Sequence, residues 1–169
     1  MKKIFSIILI FVSAHCFAQT MPVVPTVADN ENGVFGFKLD SKYEDIAKDF
    51  KLDSVLFSDT YFFYKVDSPA YCTLEGIVYD VVLLFSIDTK KLSTIKISHK
   101  GTESQAYKLY LLTISKFGEP SHTFRTSKTL ISYDWYGQKT KLSLMRYSDK
   151  DSYSESLTFS KRTGSVSRF

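Results

Sequence analysis

The side chains that could do covalent or metal chemistry are few: Cys16 and Cys72, His15, His99 and His122, and a carboxylate pair at Asp45 and Asp49. A thiol becomes a nucleophile when a nearby cation or a helix N-terminus lowers its pKa. Cys72 stands in SPAYCTLEG, where the nearest charges are the acids Asp67 and Glu75, so the local sequence withholds that activation. His99 and His122 are far apart, with no acidic ligand at the intervals a zinc site uses. Asp45 and Asp49 are four residues apart on what reads as the solvated side of a helix, where charge is expected. The seven glycines are scattered, with no phosphate-cradling loop and no G-x-S-x-G elbow. The expectation is a chain without metal, without cofactor and without a catalytic constellation. The competing enzyme reading is an envelope hydrolase or thiol enzyme with Cys72 as nucleophile and His99 or His122 as base.

Whether two thiols or one survive depends on the N-terminus. Lys2 and Lys3 precede a short apolar run, IFSIILIFV at 4–12, and then SAHCFAQ at 13–19. A basic start, a short apolar centre and small residues beyond it form a secretory signal. The run is too short for a spanning helix, which needs about 20 apolar residues. Cleavage after Ala18, with Cys16 at −3, predicts a leader over 1–18 and an exported chain, periplasmic or secreted, with no transmembrane segment. The alternative is acylation of Cys16, which would make a lipid-anchored structural subunit of the envelope. It is disfavoured because the bulky His15 sits where a lipoprotein site takes Gly, Ala or Ser. Loss of the leader leaves Cys72 alone, so the fold must stand on its core without an internal disulfide.

That core is affordable. Hydrophobic residues are 44% of the chain and aromatic ones 15%, with 14 Phe and 11 Tyr, which excludes a disordered polypeptide. About 150 residues after the leader suit one domain. Removing Lys2 and Lys3 from the 22 basic residues leaves 20 against 18 acidic ones, and the two signs alternate, as in KLDSKYEDIAKDFKLD. No basic stripe suited to phosphates stands out, so nucleic acid is not an expected partner.

The elements that must position any site read as follows. TMPVVPTVADNEN at 20–32, with two prolines and no periodicity, predicts a flexible tether over 19–33. A single domain is expected over 34–162, followed by a polar tail at 163–169. Gly33 introduces a short strand at 34–39. Ser41 and Glu44 form an S-x-x-E capping box ahead of Tyr43, Ile46, Ala47 and Phe50, which predicts a first helix. Extended segments follow at 55–57 and 60–66. The runs at 76–87 and 92–98 flank a four-residue turn at 88–91, the pattern of a hairpin. A second helix opens on Thr102 and Gln105, carries Tyr107, Tyr110, Leu111, Ile114 and Phe117 on one face, and stops at Gly118 before Pro120. Strands resume at 130–136, 140–147 and 156–160.

The order is a helix and about three strands, twice. We therefore expect an α+β domain of two α-β-β-β units, an internal duplication, forming an antiparallel sheet with two helices packed on one face. With FGFKLDSKYEDIAKDF at 35–50 and YKLYLLTISKFGEP at 107–120 in view, the chain resembles the β-lactamase-inhibitor-protein-like fold, and its single unit is similar to small outer-membrane-assembly lipoproteins of bacteria. Inhibitors of that kind carry disulfides, which Cys72 alone cannot form. The resemblance thus concerns architecture, and architecture does not by itself confer an activity.

Side chains alternate across a strand. If Phe62, Tyr64, Ile95, Ile97, Ile131, Tyr133, Trp135, Leu142 and Leu144 face the helices, the other face carries Tyr61, Phe63, Lys96, Asp134, Tyr136, Met145 and Tyr147. Solvated sheet faces are normally Thr, Lys, Glu and Ser, whereas aromatic residues and Met with a few charges suit protein recognition. These seven residues form the candidate binding set, and the expected function is a non-enzymatic exported module that holds a protein or peptide in the envelope. The alternative is that a loop, the tether or a dimer partner covers the rings.

Overall fold

The computed structural model describes residues 27–162 apart from 70–71, 75, 103–104, 106 and 151. The expected leader (1–18), the first part of the tether (19–26) and the tail (163–169) lie outside the described residues. The N-terminal layer comprises α1 (Val27–Glu31), the short pair β1 (Gly33–Val34) and β2 (Phe37–Lys38), and α2 (Tyr43–Ile46). Strands β3 (Leu52–Phe57) and β4 (Tyr61–Val66) follow, then the small pair β5 (Thr73–Leu74) and β6 (Ile77–Val78), then β7 (Asp80–Ser86) and β8 (Leu92–Gly101). After α3 (Lys108–Phe117) come β9 (His122–Arg125), β10 (Leu130–Tyr136), β11 (Thr140–Asp149) and β12 (Ser152–Lys161).

The chain is α+β. Eight strands form one antiparallel sheet in the order β3-β4-β7-β8-β12-β11-β10-β9. Its first four strands and its last four each run as a meander behind a helix, and the halves join where β8 pairs antiparallel with β12. Each half thus gives the large sheet four strands where about three are expected. The additional member of the second half is β9, whose HTFR is exposed throughout and too short to announce a strand.

One face of the sheet holds the core, as the period-two pattern requires. Ile95, Ile97, Tyr133, Trp135, Leu142 and Leu144 are buried, and Phe62, Tyr64 and Ile131 pack against them from the flanks. Leu157 and Phe159 of β12 complete the centre, where burial of each large apolar side chain contributes about 1.5–3 kcal/mol.

Both helices differ from their sequence signatures at the N-terminus. α2 is a single turn with Lys42 as its N-cap and no side-chain cap, so the Ser41/Glu44 box does not form. Backbone bonds from Asp40 N to Leu92 O and from Leu92 N to Ser41 O hold residues 40–41 against the start of β8. Lys42 is itself extended at ψ 153° and bridges to Lys91, so the helix begins only at Tyr43. Before α3, the Gln105 side chain does accept from Thr102 N at 3.3 Å, which is half of a capping box. The helix nevertheless starts only at Lys108, after Tyr107 at φ 71°. Its stop matches the expectation, with Gly118 at φ 78° and its N–H bonded to Ile114 O.

The expected tether is, over 27–33, a docked element. Ala28 of α1 is buried, and the Asp29 carboxylate accepts from the β10–β11 turn: Gln138 N at 2.6 Å, Lys139 N at 2.9 Å, Thr140 N at 3.0 Å and Thr140 Oγ1 at 2.8 Å. Four donors converge on one carboxylate because a tight turn leaves its N–H groups without backbone partners.

Candidate functional site

The seven residues singled out from the sequence lie on the face opposite the helices, six of them in two groups with Lys96 between. On β4, the Tyr61 and Phe63 rings meet edge to face at 6.5 Å, with Leu84 of β7 and Leu56 of β3 opposite Phe63. On the far wing, β10 supplies Asp134 and Tyr136, and β11 supplies Met145 and Tyr147. Strands β7, β8 and β12 separate β4 from β11, so the groups are about 19 Å apart at the usual strand spacing. The ground between them carries Thr94, exposed Lys96 and Ser98 on β8, and Ser156, Thr158 and Ser160 on β12. The face is therefore two apolar wings around a hydroxyl-rich centre.

Asp134 needs a correction as a contact residue. It is only 6% exposed, beneath the Tyr136 side chain. Its carboxylate accepts from Ser143 Oγ at 2.5 Å and from the Tyr136 hydroxyl at 2.9 Å, with Lys141 Nζ at 3.3 Å. Burial alone would raise its pKa, but the two hydroxyls and the ammonium outweigh it and hold the carboxyl below the usual range. Asp134 thus orients Tyr136, whose ring also lies beneath Lys141 Nζ at 5.1 Å and the Arg162 guanidinium at 5.5 Å.

Sequence reasoning missed two members of this wing. Phe124 of β9 is 53% exposed and stacks with His122 at 6.0 Å, and His122 meets the Tyr136 ring at 5.5 Å. The signal for them was the polar–aromatic alternation of HTFR, which is short enough to pass for a loop. His122 is therefore an aromatic neighbour of Tyr136 on an edge strand.

A second polar cluster lies buried on the helix side. The Glu155 carboxylate of β12 accepts from Leu109 N at 2.8 Å and Tyr110 N at 3.4 Å, and so caps α3 from 46 residues away. The Tyr153 hydroxyl donates to Glu155 at 3.1 Å while accepting from Tyr107 N at 2.8 Å and Arg146 Nε at 3.0 Å. Arg146 also donates from Nη1 to the Tyr133 hydroxyl at 3.0 Å, and its guanidinium lies 3.6 Å from the Tyr107 ring centre. Burial pushes the Glu155 carboxyl up, and the Leu109 N–H, the Tyr153 hydroxyl and Arg146 pull the other way without cancelling the rise. No buried side-chain oxygen or nitrogen of this cluster lacks a hydrogen-bond partner, which is the organisation of a structural network.

The thiol and the imidazoles are not assembled for catalysis among the described residues. Cys72 is buried, and burial raises its thiol pKa, with Asp80 adding to the rise and Lys65 opposing it. A raised pKa is the reverse of nucleophile activation. His99, buried beside Tyr79 at 5.5 Å between ring centres, makes no hydrogen bond to Cys72, and neither does His122. Among the described residues, no group of three or more His, Cys, Asp or Glu side chains could hold a metal ion, and no helix is long and apolar enough to cross a membrane.

The fold and its open face define an α+β protein with one large antiparallel sheet, helices on one side and aromatic wings on the other. No family model matches the chain, and no curated protein matches it. Among solved structures, it is similar to a DUF4309 family protein (YjgB) from Bacillus subtilis, with a TM-score of 0.47 and 14% identity over 75% of this chain and 83% of that one. At that level the likeness carries no argument about activity.

Proposed function

We propose that this chain is an exported, non-enzymatic binding module that holds a protein or peptide partner across its open sheet face. Export would follow from cleavage of the leader at 1–18, and the two helix-plus-meander halves would descend from one duplicated unit of the β-lactamase-inhibitor-protein-like kind. The observation that carries the reading is exposure. Leu56, Phe124, Met145 and Tyr147 are 56%, 53%, 46% and 38% exposed on the side of the sheet opposite its core. Each wing leaves large apolar groups open, patches of the kind that mark interaction surfaces, and Tyr, Phe and Met are the residues that interface centres favour. The thiol-enzyme alternative has no comparable support, since Cys72 is buried with a raised pKa.

The test replaces Tyr61, Phe63, Phe124, Met145 and Tyr147 together with Ser and compares envelope cross-linking with thermal unfolding. The expected result is loss of the cross-linked partner while cooperative unfolding persists. A variant that no longer folds would mean that the rings are core, and a folded variant that still captures its partner would place the contact elsewhere. Either outcome sinks the reading.

A further inference from the structure

On the helix-bearing side, a cleft of about 480 Å3 opens between α3 and the turn that joins β1 to β2. Val34, Phe35, Leu112 and Phe117 line it, with the buried Leu109 and Leu157 behind them. The volume falls within the range of small-molecule sites. Phe35 is held at φ 56°, a conformation costly for a residue with a β-carbon, and its ring is fixed edge-on to Tyr79 at 5.8 Å. Phe35 is thus a braced aromatic group at the mouth of an apolar slot, with open space beside Gly36.

Charge at this mouth selects the occupant. Lys116 is the one charged side chain lining the cleft among the described residues. It pairs with Glu31 at 3.1 Å, but both side chains are largely exposed, at 43% and 49%, and exposed pairs of this kind hold weakly. An ammonium has three donors, so a second carboxylate can join or displace Glu31 at little cost. We propose that the cleft binds an aliphatic carboxylate, its chain lying among Phe35, Leu112 and Phe117 and its head group on Lys116. This site lies on the opposite side of the sheet from the aromatic wings and stands or falls independently of them.

Decanoate and decanol, both below their aggregation thresholds, titrated calorimetrically into the full chain, provide the test. Saturable one-to-one binding of both is expected. Lys116→Met should weaken decanoate about tenfold, the scale of one lost charged hydrogen bond, and leave decanol unchanged. Glu31→Gln, which removes the competing carboxylate, should tighten decanoate a few-fold and again leave decanol alone. Leu112→Trp should fill the slot and abolish both ligands while the melting temperature holds. Failure of the wild-type chain to bind either compound, as when its own residues 1–26 fill the slot, overturns the proposal. So does decanoate binding that ignores Lys116→Met or Leu112→Trp.

Discussion

Glu155→Ala removes the group on which three interactions converge. The carboxylate is 1% exposed, caps α3 at Leu109 N and Tyr110 N, accepts from Tyr153, and faces the Arg146 guanidinium with Nε at 3.7 Å. Arg146 is itself only 5% exposed, so the substitution strands a buried cation, at a cost of about 3–5 kcal/mol. A domain of this size loses about 2–4 °C in melting temperature per kcal/mol, which puts the expected fall at roughly 6–20 °C. Arg146→Met in the same chain removes the stranded charge. The double variant should therefore recover most of the loss and retain only the cost of the uncapped helix, about 1–2 kcal/mol. Urea unfolding of the wild type, both single variants and the double variant completes the cycle. A Glu155→Ala loss below about 1 kcal/mol, or a double variant as unstable as the sum of its parts, would falsify the reading of this network as one coupled charge cluster.

The Asp29 and Asp134 carboxylates set further outcomes. A β-carbon at Gly137 would come within 2.4 Å of Asp29 Oδ1, so Gly137→Ala should expel the Asp29 carboxylate and cost about 1.5–3 kcal/mol, the scale of hydrogen bonds to a charged group. Asp29→Ala should cost a similar amount, and the double variant little more than either single one, as read from urea midpoints. Asp134 has a depressed pKa in the folded state, so its contribution is present above the usual Asp value of about 3.9 and lost as pH falls through that value toward the folded one. Asp134→Asn should therefore be less stable than the wild type at neutral pH, with the gap narrowing as pH falls through the usual Asp value toward the depressed folded one. A gap independent of pH would show that the carboxylate is not held ionised by Ser143, Tyr136 and Lys141.

Much of the architecture was legible in residue order, because strand alternation and helical periodicity are local signals. The α+β class, the sorting of Phe62, Tyr64, Ile95, Ile97, Tyr133 and Leu142 onto the packed face, the hairpin turn at 88–91 and the stop at Gly118 all follow from spacing within a dozen residues. What only the tertiary structure decided depends on distant partners. Ser41 loses its capping role because the bridge to Lys91 holds Lys42 extended and moves the helix start to Tyr43, and α3 takes its cap from Glu155 on the central strand rather than from Thr102. Residues 27–31 leave the tether for the domain because the β10–β11 turn presents donors to Asp29, a match no reading of 19–33 alone contains. Strand order did the same for the open face. Tyr61 and Tyr147 share a side by alternation, but the closing of the sheet through β8 and β12 sets them apart with hydroxyl groups between. Period and composition are carried by neighbouring residues in the chain, whereas caps, docking and the distance between patches are properties of pairings that form only when the sheet closes.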